Sequence, residues 1–166
     1  GKMTLSIAGR CAETGMLGGA VTSSSICVAS RCLFTRTGVG TALTQNVTDP
    51  SLGEKMLNLL ESGENVKTAL SKIVSEENHI QWRQLVLLDS TGSSALHTGE
   101  NVLGKHATVQ GNQCVAAANL LANHSVPSAM VEAFEKNSGH LAHRLITALD
   151  AGINAGGEEG PVFSAG

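Results

Sequence analysis

The segment TLSIA at residues 4–8, followed by ETG at 13–15 and MLGGAVT at 16–22, decides the fold. Polar and apolar side chains alternate in residues 4–8, which is typical of a β-strand with one buried face. The ETG tripeptide supplies a turn, and MLGGAVT is interpreted as the returning strand of a hairpin. A hydroxyl-bearing residue, Thr4, therefore stands at the head of the first strand of a predicted sheet.

Blocks of strand and helix patterns follow one another along the rest of the chain. Strands are predicted at 25–30, 38–45, 81–89, 94–99 and 106–109, and helices at 51–60, 66–74, 115–122, 127–134 and 141–151. Strands, then helices, then strands, then helices predict an α+β arrangement with helices layered outside a sheet core. Because no repeat or linker interrupts this order, residues 1–166 are expected to form a single domain.

The composition argues against several classes of function. The 166 residues carry a net charge of −3, and only three Phe, one Trp and no Tyr are present, so neither a basic surface nor stacking side chains indicate a nucleic-acid partner. No signal peptide is recognisable and no apolar run reaches the length of a membrane span. The four cysteines lack metal-ligand spacing. We expect a cytoplasmic protein with no membrane or nucleic-acid partner, no cofactor and no metal.

A colinear set of short motifs runs through nearly the whole chain. In order, they are TLSIA at 4–8, ETGMLG at 13–18, GVG at 38–40, TQ at 44–45, DPSLG at 49–53, DSTG at 89–92, TG at 98–99, VQGN at 109–112 and AGG at 155–157. This order resembles a bacterial family of unknown function, the ten-twenty-eighth in the domain-of-unknown-function series. That family is grouped with the N-terminal-nucleophile (Ntn) hydrolases. The resemblance implies a four-layer αββα sandwich with two antiparallel sheets between helical layers.

The same resemblance implies a nucleophile at the start of the first strand. In Ntn hydrolases the hydroxyl or thiol of a free N-terminal residue attacks an amide, and its own α-amine acts as the base. Thr4 is the candidate here, and Ser6, on the same face of the strand, is the reserve. Gly1, Lys2 and Met3 precede Thr4 in this sequence. An ordinary strand hydroxyl is therefore the alternative interpretation of Thr4.

Further candidates come from the motifs that follow predicted strands. Asn112 is a candidate oxyanion donor, with Gln110 and Gly111 beside it as substrate-binding residues, although Gly-Asn is also a common turn. Thr44 and Gln45 end a strand and are likewise candidates for substrate binding, and a hydrogen bond at the strand end is the alternative. Arg31 is a candidate partner for a substrate carboxylate, and an ion pair within the protein is the alternative.

Two functions from different classes remain open on the sequence. The first is an Ntn-type hydrolase that acts on an amide bond of a small metabolite. The second is a non-catalytic protein that binds a small molecule on the same fold. Family members continue past the final Ser-Ala motif into another strand, whereas this sequence ends at Gly166. We therefore expect a homo-oligomer or a C-terminal fragment of the same precursor, generated by autoprocessing, to complete the sheet.

Overall fold

The computed structural model describes residues 4–23, 31–45, 49, 51–102, 105–120 and 125–156. These residues form eight strands and four α-helices. The strands are β1 Thr4–Arg10, β2 Leu17–Ser23, β3 Arg31–Arg36, β4 Gly40–Gln45, β5 Gln84–Asp89, β6 Ser94–Thr98, β7 Lys105–Gly111 and β8 Cys114–Leu120. The helices are α1 Ser51–Glu61, α2 Val66–Glu76, α3 Val126–Lys136 and α4 Leu141–Gly156, and a short 3-10 helix spans Ile80–Trp82.

The strands form two antiparallel sheets of four strands each. The first sheet has the order β2-β1-β8-β7 and the second β3-β4-β5-β6. β1 lies inside the first sheet because it pairs with β2 on one side and with β8 on the other. The first sheet is thus built from two hairpins separated by residues 24–104, about 80 residues of chain, with the second sheet and two helices inserted between them.

Three apolar clusters show how these elements pack. One cluster joins α3 and α4 to one face of the first sheet, and a second joins α1 and α2 to one face of the second sheet. The third cluster lies between the two sheets and consists of Ala8, Leu43, Val86, Leu88, Val115 and Ala117. Each sheet therefore has one face against a helix pair and the other against the opposing sheet. The expected α+β class and the two antiparallel sheets are confirmed.

One predicted element has the wrong type. The alanine-rich run at 115–122 was expected to be helical, but residues 114–120 form β8, between β1 and β7. The side chains of Val115 and Ala117 pack between the sheets, whereas Ala116 and Ala118 pack against α3 and α4. Alanine favours helices in isolation, yet strand pairing on both sides and burial of both faces outweigh that preference. The predicted strand at 25–30 lies outside the described residues.

Glycines allow the helices to approach the sheets closely. A Cβ built on Gly9 of β1 would lie 2.6 Å from the ring of Phe134, and one built on Gly53 of α1 would lie 2.2 Å from Phe34. Both distances are far below van der Waals contact, so a side chain at either position would displace an aromatic ring. Phe134 and Phe34 thus pack against backbone that only glycine exposes.

We expect Phe134→Ala to lower the free energy of unfolding by about 3–5 kcal/mol, because truncating a large buried side chain leaves a cavity. Phe134 is fully buried in the cluster between α3, α4 and the first sheet, and the Arg144 guanidinium lies 4.0 Å from its ring centre. Chemical denaturation measures the change. Ile146→Ala is the matched control, because the Ile146 side chain on α4 is 53% exposed, and it should cost less than about 0.5 kcal/mol.

Candidate functional site

Thr4 and Ser6 lie on the face of β1 that looks toward the second sheet. Leu5 and Ile7 belong to the cluster that packs on α3 and α4, and Ala8 belongs to the cluster between the sheets. Side chains alternate along a strand, so Thr4 and Ser6 share the face of Ala8. Ser6 is fully buried, and Thr4, the first residue of β1, is partly exposed. Thr4 therefore lies, partly exposed, at one end of the space between the sheets.

Amide and hydroxyl side chains of the second sheet occupy the same end. Gln45 of β4 is in register with Gln84 of β5, which is in register with Thr98 of β6. Leu43 and Val86, two residues away from the glutamines, pack between the sheets, so both glutamines face the first sheet. The Nε2 group of Gln84 donates a hydrogen bond of 3.2 Å to Thr98 Oγ1.

The two sheets are aligned by contacts at their opposite end. Gln110 Nε2 of β7 donates to the carbonyl oxygen of Ser94 (2.9 Å) and to its Oγ (3.1 Å) on β6. Gln113, in the turn after β7, donates to the carbonyl oxygen of Thr91, in the turn before β6 (3.3 Å). The strands of both sheets run away from these turns, so we infer that their far ends lie on the same side of the molecule. We call this far end, defined by Thr4, Gln45, Gln84, Thr98 and His106, the polar end.

His106 brings an imidazole to the polar end. It is in register with Asn119 of β8, which is in register with Thr4, so two strand spacings, or about 10 Å, separate β7 from β1. Its neighbour Ala107 packs on the helix side, which places His106 on the face toward the second sheet. Burial lowers the pKa of His106 below the ordinary value of 6.5. Burial therefore favours the neutral form of the imidazole.

Gln45 has an unusual hydrogen-bonding state. Its side chain is 4% exposed, and its Oε1 atom has no hydrogen-bond partner in the described part of the chain. A buried carbonyl oxygen without a partner costs about 1–3 kcal/mol in lost hydration. The Nδ1 atom of His106 is also buried without a hydrogen-bond partner among the described residues. Both unpaired atoms belong to strands that end at the polar end, on the faces that look toward the space between the sheets.

Thr44 and Arg31 are the other two residues of the second sheet that were predicted to bind substrate. Thr44 shares the face of Ala42, which packs against α1 and α2, so Thr44 and its neighbour Gln45 face opposite sides of the sheet. Thr44 is buried, and its Oγ1 has no partner in the described structure. The backbone of Arg31 is in register with Gln45 at the polar end. The side chain of Arg31 is not among those that the structure describes.

Gln110, Gly111 and Asn112 lie at the opposite end of the sheets from Thr4. Thr4 is level with Asn119 of β8, whereas Gly111 is level with Cys114 at the start of β8. Five residues of strand, or about 17 Å, separate these two levels. The backbone N–H of Asn112 donates to Glu135 Oε2 on α3 (2.8 Å). A Cβ on Gly111 would lie 2.4 Å from Val131. The structure does not bring these three residues together with Thr4, and their contacts join the β7–β8 hairpin to α3 and β6.

A groove of about 770 Å³ opens on a different side of the molecule, between α2 and the outer strands β6 and β7. Its lining includes Lys67, Ser71, Leu96, His97 and Thr108. The volume lies in the range of small-molecule sites, but the lining contains neither Thr4 nor Gln45. The polar end, by contrast, contains the unpaired buried atoms of Gln45 and His106.

Within the described ranges, no group of three or more His, Cys, Asp or Glu side chains is arranged to hold a metal ion. None of the helices in these ranges combines the length and the apolar character needed to cross a lipid bilayer.

Fold and polar end together define a class of α+β proteins with two stacked antiparallel sheets and a threonine at the head of an interior strand. The chain belongs to the family of unknown function DUF1028, whose profile matches residues 4–166. It is similar to the crystal structure of protein SPO2555 from Silicibacter pomeroyi, titled as a DUF1028 protein. The sequence identity is 31% and the TM-score 0.85, over 93% of this chain and 69% of that chain. No curated protein matches the sequence.

We expect His106 to make stability depend on pH. Its pKa is lowered in the folded state, so the unfolded chain binds a proton at a higher pH than the folded protein does. The free energy of unfolding should therefore fall as the pH drops through 6.5 toward the folded-state pKa. His106→Gln should remove part of this decline between pH 7.5 and 5, measured by thermal unfolding. His143→Gln, at an exposed position on α4, is the control, and identical pH profiles for His106→Gln and wild type would contradict the expectation.

Proposed function

We propose that this protein is an Ntn-type hydrolase that cleaves an amide bond of a small metabolite, and that its architecture is the αββα sandwich of that superfamily. One observation carries the proposal: Thr4 heads an interior strand and faces the polar end, where Gln45, Gln84 and His106 also face. The match to DUF1028 begins at Thr4. A nucleophile at this position would lie beside side chains that can hydrogen-bond an amide substrate.

The reaction follows from the chemistry of an N-terminal threonine. An α-amine has a pKa of about 8, so a large share of it is neutral at cellular pH and can take the proton of its own hydroxyl. Thr4 Oγ1 then attacks the amide carbonyl carbon, and the C–N bond breaks as the leaving nitrogen receives that proton. An ester between Thr4 and the acyl group remains. Water hydrolyses this ester, releasing the carboxylic acid and restoring the hydroxyl.

This mechanism requires that Thr4 be the first residue of the mature protein. Gly1, Lys2 and Met3 must therefore be removed before the α-amine can act as a base. Ser6 is a weaker candidate, because its backbone pairs with Val21 of β2 and Ala117 of β8 in the middle of the sheet. A chain beginning at Ser6 would lose the first two residue pairs of β1 on both sides. Thr4 is thus the nucleophile that the proposal favours.

A non-catalytic protein that binds a small molecule is the second candidate. The observation that favours it is the groove between α2 and the strands β6 and β7, whose lining mixes hydroxyl, imidazole and ammonium groups with Leu70, Val74 and Leu96. Such a lining suits a ligand with both polar and apolar parts. Binding there needs no free α-amine, so a protein that retains its first three residues would still bind.

We expect Thr4→Ala to reduce amide hydrolysis by at least about 1,000-fold in protein processed to begin at residue 4, because the attacking oxygen is lost. A ubiquitin fusion cleaved immediately before residue 4 provides this protein, and mass spectrometry after incubation with a panel of small amides measures turnover. Since Thr4 lies at a strand end, the free energy of unfolding should change by less than about 1 kcal/mol.

Two matched proteins complete this experiment. Thr4→Ser with the same processing keeps a hydroxyl and an α-amine and should retain activity. A chain that retains Gly1, Lys2 and Met3 should be inactive although it is folded. Equal activity in processed wild type and Thr4→Ala, or no activity in processed wild type on any amide, would contradict the hydrolase and favour the binding protein.

A further inference from the structure

The unpaired oxygen of Gln45 carries information about the ligand. Gln45 closes β4, is 4% exposed, and presents an amide between the two sheets at the polar end. Its Oε1 has no hydrogen-bond partner in the described residues. A carbonyl oxygen can only accept hydrogen bonds. The hydrogen-bond partner that Gln45 Oε1 lacks is therefore a donor group.

Gln84 is a natural comparison for Gln45, because the two are register partners on adjacent strands and are buried to similar extents, 2% and 4% exposed. The Nε2 group of Gln84 bonds to Thr98 Oγ1. The side chain of Gln84 is thus hydrogen-bonded within the protein, whereas the Oε1 atom of Gln45 has no partner among the described residues. A glutamine that served only to fill space would be disfavoured against an apolar side chain of equal size.

The surroundings of Gln45 narrow the nature of the missing donor. Burial favours the neutral form of His106, on the opposing sheet, and the Nδ1 of this residue also lacks a partner in the described structure. Thr4 heads its strand at the same end. A donor that reaches Gln45 would therefore belong to a molecule lying between the two sheets, beside the hydroxyl to which we assign the chemistry.

We infer that Gln45 is a ligand-recognition residue whose Oε1 accepts a hydrogen bond from an N–H group of the ligand. Combined with the proposed amide hydrolysis, this assigns the N–H to the amide of the substrate, which is then a primary or secondary amide and not a tertiary amide. The inference rests on the proposed function for the statement that the ligand is hydrolysed. The hydrogen bond itself concerns binding. It can be measured in protein that does not hydrolyse anything.

The first test needs no ligand. Gln45→Met keeps the length of the side chain and removes an oxygen that has no partner, so it should raise the melting temperature of the free protein by about 2–4 °C. Gln84→Met is the matched control. It removes a glutamine that is bonded and leaves Thr98 without that donor, so it should lower the melting temperature. A loss of stability in Gln45→Met as large as that in Gln84→Met would overturn the inference, because Gln45 would then have a structural partner.

The second test compares small amides that carry different numbers of N–H donors. Acetamide, N-methylacetamide and N,N-dimethylacetamide share a carbonyl group and carry two, one and no N–H bonds. Saturation-transfer NMR with wild-type protein should show that the dimethyl compound binds about tenfold more weakly than the other two, and Gln45→Met should lose this difference. Gln45→Glu keeps an acceptor and should keep the preference. Equal binding of the three amides to wild type, no detectable binding of any, or an unchanged preference in Gln45→Met would overturn the inference.

The outcomes separate this inference from the proposed function. A donor preference that depends on Gln45, in protein without amidase activity, would support the recognition role and count against the hydrolase. Amide hydrolysis with no preference for N–H-bearing amides would do the opposite.

Discussion

The pairing of β1 with β8 is the constraint on which the rest of the structure depends. It joins the first hairpin of the chain to a hairpin about 100 residues later, and it fixes which residues share a level across the first sheet. Thr4 is level with Asn119 and His106 because of this register, and Gly9 is level with Cys114. A shift by one residue would turn Thr4 toward the helices and place Leu5 between the sheets.

Small side chains make that pairing possible. Ala116 and Ala118 of β8 leave room for α3 and α4, while Ala117 and Ala8 leave room for the second sheet. Side chains of this size bring helices and sheets close together and yield many short contacts, although each buries little area. The few large side chains, Phe134 above all, fill the space that the alanines leave. The interior is therefore sensitive to cavities at a few positions.

The β1–β2 and β5–β6 hairpins and the α1–α2 pair could be predicted from the sequence because periodicity marks them directly. β8 was predicted wrongly, since alanines buried on both faces of a strand carry no period of two and have high helix propensity. β3 was not predicted for a related reason: Leu33 and Phe34 point to opposite faces, so the alternation of polar and apolar residues is absent. The family resemblance supplied the sheet architecture that periodicity could not.

The candidate site shows the same limit. The positions of Thr4 and Gln45 at strand ends were visible in the sequence, but their meeting at one end depends on the stacking of two sheets that no local pattern encodes. Gln84 was not singled out, because it opens a strand, QLVLLD, that is apolar on both faces. Asn112 was expected beside the nucleophile, yet the β7–β8 register carries it to the far end, where Glu135 binds its backbone N–H.

The two functional readings place different demands on the space between the sheets. The groove beside α2 reaches Thr108, which is level with Ser6 in the first sheet, whereas the polar end begins two residues further along the strands, at the level of Thr4 and His106. A ligand in the groove would contact hydroxyl groups that face solvent and would leave the oxygen of Gln45 unpaired. A ligand at the polar end would donate a hydrogen bond to that oxygen and would remove the free-energy cost of burying it without a partner. A buried acceptor without a partner lowers the stability of a protein, and such a group is retained where function requires it. This asymmetry between the two places is the physical reason for assigning recognition, and with it the chemistry of Thr4, to the polar end.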